Sequence, residues 1–170
     1  MLHFFDIVFT IRMVGREEPQ KGRNHGMKIW FDMDGTIADL YGVADWLPAI
    51  FARDTRPYEI ARGIGNLALI ARLLNKAQAK GHEIGIITLT ANVKDPAYNA
   101  RVYAEKLRWL AKHFSSVNWD TILVKPYGTN KKAVCGEGIL FDDEEKNRNE
   151  WGAGAYEPAE IVEVLKALTR

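Results

Sequence analysis

Lys28-Ile29-Trp30-Phe31-Asp32-Met33-Asp34-Gly35-Thr36 is the stretch that decides the fold. A short apolar run leads into two carboxylates spaced two apart, then a glycine and a hydroxyl. A brief apolar run bounded by a turn signal reads as a buried strand. On an extended strand end, side chains two apart project the same way, so Asp32 and Asp34 can face one site.

Three further apolar runs follow, at residues 84–88, 121–124 and 138–141. Between them lie helical patterns. Residues 66–80 carry Leu67, Ile70, Leu73, Leu74 and Ala77 at helical spacing, and Gly81 stands where a helix ends. Residues 95–114 open on Asp95-Pro96 and carry Val102, Leu107, Leu110 and Phe114 as a stripe. Residues 43–52, 129–134 and 157–168 are expected as further helices, the last with Ile161, Val164, Leu165 and Leu168 on one face. Strands alternating with helices imply an α/β fold, a Rossmann-like parallel sheet with helices on both faces. Ligands of such sheets bind at the carboxyl ends of the strands.

Those ends carry chemistry. The first ends in Asp32 and Asp34, the second in Thr88 with Thr90 beyond it, and the fourth in Asp142-Asp143. The third leads into Gly128-Thr129-Asn130-Lys131-Lys132. Carboxylates gathered in one crevice repel one another and are forced partly neutral. Bound Mg²⁺ removes that cost, because a hard cation prefers oxygen ligands. A phosphate in the crevice then needs the metal, a hydroxyl or amide donor, and a lysine. One carboxylate can attack phosphorus to form an aspartyl-phosphate. A second, two residues on, can protonate the leaving oxygen and later activate water.

Asp32-Met33-Asp34-Gly35-Thr36 resembles the first motif of the haloacid dehalogenase (HAD) superfamily of phosphohydrolases. The resemblance extends over residues 27–170. It implies Asp32 as nucleophile and metal ligand. It implies Asp34 as general acid/base, with its backbone carbonyl on the metal. Thr88 matches the hydroxyl that binds the phosphoryl group, with Thr90 as competitor. The motif lysine falls on Lys131 or Lys132, and Lys131 is preferred because residues 128–130 can form the loop and helix start before it. Asp142-Asp143 match the late acidic pair, Asp143 as the direct Mg²⁺ ligand and Asp142 direct or through water. Within the superfamily the chain is most similar to the 5′(3′)-deoxyribonucleotidase-like branch. The similar features are a small insert after the first motif, a Phe-Asp-Asp close, and residues 151–156 before the last helix. Thr88-Leu89-Thr90 stands where that branch has a Thr-Ser pair.

The expectation is therefore a Mg²⁺-dependent phosphomonoester hydrolase acting on a small phosphorylated substrate, a nucleoside monophosphate first. The alternatives are a sugar-phosphate phosphatase, a phosphotransferase, or a phosphate-binding domain without catalysis. The interval between Thr36 and Ile84 leaves room only for a small helical cap insert, about 43–64. Such a cap leaves an open site, completed by the substrate or by a second subunit of a homodimer. Arg53, Arg56 and Arg62 on the insert stand ready for a second anion or for solvent. Tyr41 and Trp46 fall where the family places its flap. Tyr58, Trp109 and Trp119 read as packing residues. Glu144, Glu145, Lys146 and Arg148 read as a solvated face. Lys125-Pro126 resembles a step of response-regulator receiver domains. In those, however, the acidic pair comes first and the phosphoacceptor later, opposite to the order here.

The bulk properties agree with one enzyme domain. The chain has 170 residues, 47% hydrophobic and 26% charged, with 23 Lys+Arg against 22 Asp+Glu, so no nucleic-acid polymer is expected as a partner. Cys135 is the single cysteine, which excludes an internal disulfide and a cysteine-rich zinc site and suits a reducing, cytoplasmic setting. No apolar stretch reaches the ~18–20 residues of a membrane span. Residues 5–13 alternate as a possible strand and 15–26 read as a linker, so 1–26 is expected as an upstream extension, with Met27 opening the domain.

Overall fold

The computed structural model describes residues 26–170. The expected strand at 5–13 and most of the following linker lie outside the described residues.

Five parallel strands form the central sheet: β1 (Lys28–Phe31), β4 (Glu83–Leu89), β5 (Thr121–Lys125), β6 (Ile139–Phe141) and β7 (Ala155–Tyr156). Their spatial order is β5-β4-β1-β6-β7. The first strand thus lies in the middle, and the chain leaves it toward β4 and later returns to β6. Phe31 stands opposite Ile86 on one side and Phe141 on the other, so the residues after all three emerge at one edge. That reversal of winding direction opens the crevice in which an α/β sheet binds ligands.

Alternation along each strand builds two cores. Ile29 and Phe31, Ile84 and Ile86, Ile139 and Phe141 bury toward α3 (Leu67–Ala79) and α7 (Ile161–Leu168), where Phe31 stacks on Phe141 with centroids 4.9 Å apart. Trp30, Ile87 and Leu140 bury on the other face, against Trp151 and Cys135. Gly85 sits under the Trp30 ring: a Cβ there would come within 2.5 Å of it.

Side-chain caps start the helices where the sequence suggests. Asn66 accepts from the Leu69 amide at α3, Asp95 from Tyr98 at α4 (Pro96–His113), and Asn130 from Ala133 at α5 (Lys131–Cys135). Gly81 ends α3 with φ +91°, a conformation L side chains rarely adopt. No helix among the described residues is long and apolar enough to cross a membrane.

The structure differs from the sequence reading in short elements. The helix expected over 43–52 is α1 (Trp46–Phe51), and a further helix, α2 (Arg56–Ile60), follows it. Both lie between β2 (Ala38–Asp39) and β3 (Arg62–Gly63), a two-stranded antiparallel ribbon. The acidic run after β6 is a helix, α6 (Glu145–Trp151), that buries Asn147 and Trp151. On α4 the buried stripe is Tyr98, Val102, Lys106, Trp109 and Leu110, with Leu107 only half-buried. Elements of two to seven residues hold too few positions for a periodic signal.

Candidate active site

Asp32 leaves β1 with its amide donating to the Phe141 carbonyl at 2.9 Å, so the strand remains tied to β6 at the point where the carboxylate emerges. The turn that follows is closed by the Met33 carbonyl, which accepts from the amides of Thr36, Ile37 and Ala38. Gly35 adopts φ +78°, and a Cβ there would lie 2.3 Å from Asp143 Oδ2. The fully buried Thr36 hydroxyl donates to Asp143 Oδ1 at 3.2 Å and accepts from the Asp143 amide at 3.1 Å. Glycine lets the β6 loop approach, and threonine fastens it.

Carboxylate oxygens of Asp32, Asp142 and Asp143 come within 4.8 Å of one another. Lys131 enters this cluster from the start of α5. Its Nζ lies 2.8 Å from Asp32 Oδ1 and 2.5 Å from Asp142 Oδ2. Lys132 points elsewhere, pairing with Glu137 at 3.7 Å and lying over the Trp151 ring. Burial works against the Lys131 ammonium, but the attraction of Asp32 and Asp142 outweighs it and its pKa stands above the ordinary value.

The acidic pair divides in character. Asp142 is fully buried and saturated: besides Lys131 it accepts from the Glu144 amide at 3.0 Å and from Asn147 Nδ2 at 3.1 and 3.2 Å. Asp143 is half-buried, with the Thr36 hydroxyl as its side-chain partner. Burial, then the charges of Asp32 and Asp142, push the Asp143 carboxyl up to about 7. Burial also raises the carboxyls of Asp142 and Asp34, the latter against the opposing pull of Lys106.

The two threonines also divide. Thr88 is fully buried, does not line the crevice, and accepts from Lys106 Nζ at 2.7 Å. Thr90, just past β4, lines the crevice, and its amide is held by the Lys125 carbonyl. Side-chain alternation cannot separate two threonines at the same parity. They differ in surroundings: the Thr88 hydroxyl is buried against Lys106, whereas Thr90 reaches the crevice.

Above the carboxylates opens a cavity of about 340 Å³. Asp32, Asp34 and Lys131 line its floor, and Tyr41, Trp46, Tyr58 and Tyr127 supply aromatic wall. Tyr41 and Trp46 pack edge to face, 4.9 Å between centroids. Tyr58, expected as a packing residue, thus also meets the cavity. Arg53, Arg56 and Arg62 do not line it; Arg53 instead pairs with Asp95 at 3.4 Å and donates to the Phe51 carbonyl. Trp109 packs in the core and donates to the Ala61 carbonyl at 2.8 Å, which ties the end of the insert to α4.

Three residues near the site escaped the sequence reading. Arg148, read as part of a solvated face, donates to the carbonyls of Asp142 at 2.9 Å and Asp143 at 2.6 Å and pins the loop they stand on. Asn147 holds the Asp142 carboxylate. Nothing in the local sequence marks either. Lys106 did leave a signal: it stands four residues from both Val102 and Leu110, inside the apolar stripe of α4.

Central-strand carboxylates, a parallel sheet wound outward in both directions, and a small insert after the first turn define the HAD-like, Rossmann-type fold. Among solved structures, the chain is similar to the D,D-heptose 1,7-bisphosphate phosphatase of B. bronchiseptica, complexed with magnesium and phosphate. The TM-score is 0.50 and the identity 15%, over 84% of this chain and 97% of that one. It is also similar to the D,D-heptose 1,7-bisphosphate phosphatase of Burkholderia thailandensis, with TM-score 0.44 and 10% identity over 82% and 98% of the two chains. At these identities the likeness is one of fold. No protein-family model matches the chain, and no curated protein sequence matches it.

Proposed function

We propose that this chain is a Mg²⁺-dependent phosphomonoester hydrolase that works through an aspartyl-phosphate on Asp32, with a nucleoside monophosphate as substrate. The observation that carries the reading is one constellation. The Asp32 carboxylate, paired to Lys131 at 2.8 Å and grouped with Asp142 and Asp143, forms the floor of a cavity with aromatic walls.

The donor set fits Mg²⁺, being all oxygen and clustered at the mouth of a buried turn. Asp32, Asp143 and the Asp34 carbonyl would hold the ion, with the saturated Asp142 acting through water. When bound, it supplies positive charge to the phosphoryl oxygens and removes the repulsion among the carboxylates. Lys131 holds Asp32 in place and faces the same oxygens. Thr90 offers its hydroxyl to the phosphoryl group, the role the motif alone suggested for Thr88.

An Asp32 oxygen attacks phosphorus, the bond from phosphorus to the ester oxygen breaks, and Asp34 gives that oxygen a proton. Water then attacks the aspartyl-phosphate and yields its proton to Asp34. Inorganic phosphate leaves, and both carboxyl groups return to their starting state.

Two features of the cavity support a nucleoside as leaving group. The aromatic side chains of Tyr41, Trp46, Tyr58 and Tyr127 that line the cavity suit a planar base. Lys131 is the one lysine or arginine among the described residues that line it, which leaves a second phosphate without a counter-charge.

The test is a panel of nucleoside monophosphates and sugar phosphates assayed with and without Mg²⁺. Release of phosphate from the nucleotides, dependent on Mg²⁺, is expected. Asp32→Asn should keep the fold by circular dichroism and lose turnover. Turnover retained in that variant would remove Asp32 as nucleophile, and a preference for sugar phosphates would overturn the nucleoside assignment.

A further inference from the structure

Lys106 occupies a place that an apolar side chain would fill. It is 1% exposed, on a stripe between Val102 and Leu110. A buried ammonium destabilises a fold unless it is well paired. Lys106 is: its Nζ lies 2.5 Å from Asp34 Oδ2 and 2.7 Å from Thr88 Oγ1, and 5.4 Å from the centroid of the Tyr58 ring. It does not line the cavity, so it does not meet the phosphoryl group itself.

An ammonium carries three donors and no acceptor. Both oxygens it touches must therefore accept. Asp34 Oδ2 is engaged by the ammonium, and Oδ1 is the oxygen left without a charged partner, the one better placed to carry and release the carboxyl proton. Thr88 is the fixed bracket, fully buried near the end of β4, that keeps Lys106 from following Asp34 if that side chain turns. The two acidic residues of the first turn thus have separate ammonium partners from separate helices: Asp32 has Lys131 of α5, and Asp34 has Lys106 of α4.

We propose that Lys106, braced by Thr88, is a positioning residue for proton transfer: by holding Oδ2 of Asp34 it presents Oδ1 to the leaving oxygen of the substrate. This rests on the phosphatase reading above.

The signature is a dependence on the leaving group. Departure of a nucleoside alkoxide needs Asp34's proton, whereas 4-nitrophenolate leaves as a stable anion without it. The ratio kcat/KM reports steps up to that departure. Lys106→Met should lower kcat/KM for a nucleoside monophosphate by ~100-fold, within the range that general acid catalysis contributes. It should lower that for 4-nitrophenyl phosphate by less than ~3-fold, and leave inhibition by inorganic phosphate unchanged. Thr88→Val should show the same selective loss more weakly, and Thr88→Ser, which keeps the hydroxyl, should restore wild-type behaviour. The threonine pair gives the answer even if Lys106→Met fails to fold.

Equal losses on both substrates, together with weaker phosphate inhibition, would mean that Lys106 acts as charge toward the phosphate and would overturn the proposal. So would unchanged kinetics in Lys106→Met, or equal behaviour of Thr88→Val and Thr88→Ser. Wild-type protein inactive on both substrates would instead bring down the phosphatase reading, and this inference with it.

Discussion

Asp143 is the place where the metal-free protein works against its own charge. Its carboxyl has neighbours in Asp32 and Asp142 and a hydroxyl donor in Thr36, and burial with those charges raises its pKa from 3.8 to about 7. The folded state thus holds a proton that the unfolded chain has already released between pH ~4 and ~7. Stability of the metal-free protein therefore falls as pH rises through that window and levels off above it. At 1.36 kcal/mol per pH unit the shift corresponds to ~4 kcal/mol, and solvent screening at this half-buried group reduces it to ~2 kcal/mol. Asp143→Asn keeps an acceptor for Thr36 and removes the charge. In EDTA at pH 7.5 it should raise stability by ~2 kcal/mol, a Tm increase of ~4–8 °C for a chain of this length. At pH ~3.5, below that window, the carboxyl is protonated in both folded and unfolded wild type and the two proteins should differ little. Saturating Mg²⁺ reverses the order at pH 7.5: a cation at a hundred times its Kd stabilises the wild type by ~2.7 kcal/mol, and the variant should lose most of that gain. Differential scanning calorimetry at the two pH values, with EDTA and with MgCl₂, reads all four numbers. A variant that melts lower than wild type in EDTA at pH 7.5, or that gains as much from Mg²⁺, would refute the reasoning.

Two further substitutions test the frame of the site. Lys131→Met leaves Asp32 and the fully buried Asp142 without their shared ammonium, and should destabilise the metal-free protein by ~3–5 kcal/mol in a denaturant titration. Gly35→Ala places a methyl 2.3 Å from Asp143 Oδ2 at a backbone φ of +78°, so it should cost ~1–3 kcal/mol in the same titration and weaken the Mg²⁺-induced rise in Tm.

Long, periodic elements were legible. The stripe of Leu67, Ile70, Leu73, Leu74 and Ala77 became the buried side of α3 (with Leu67 partly buried), and Asp95-Pro96 and Gly81 became a helix start and a helix stop. The strands that end in Asp32, Thr88 and Asp142 all joined one parallel sheet. Elements held by distant contacts were not legible. The β2–β3 ribbon joins residues more than twenty positions apart, β7 exists because β6 offers it an edge, and α6 packs through Trp151.

By its own pattern the sequence determined the layered α/β architecture and the set of residue types standing at the strand ends. Both follow from local rules: hydrophobic period, capping chemistry, and the projection of side chains from an extended strand. Tertiary structure alone decided which of several similar side chains enter the crevice. Lys131 enters and Lys132 does not, because the first turn of α5 aims one inward and the other at Trp151. Thr90 lines the cavity, while Thr88 is fully buried and bonded to a lysine of α4, eighteen residues further on. The direction a side chain faces is set by what packs against it, and that partner lies far away in the chain.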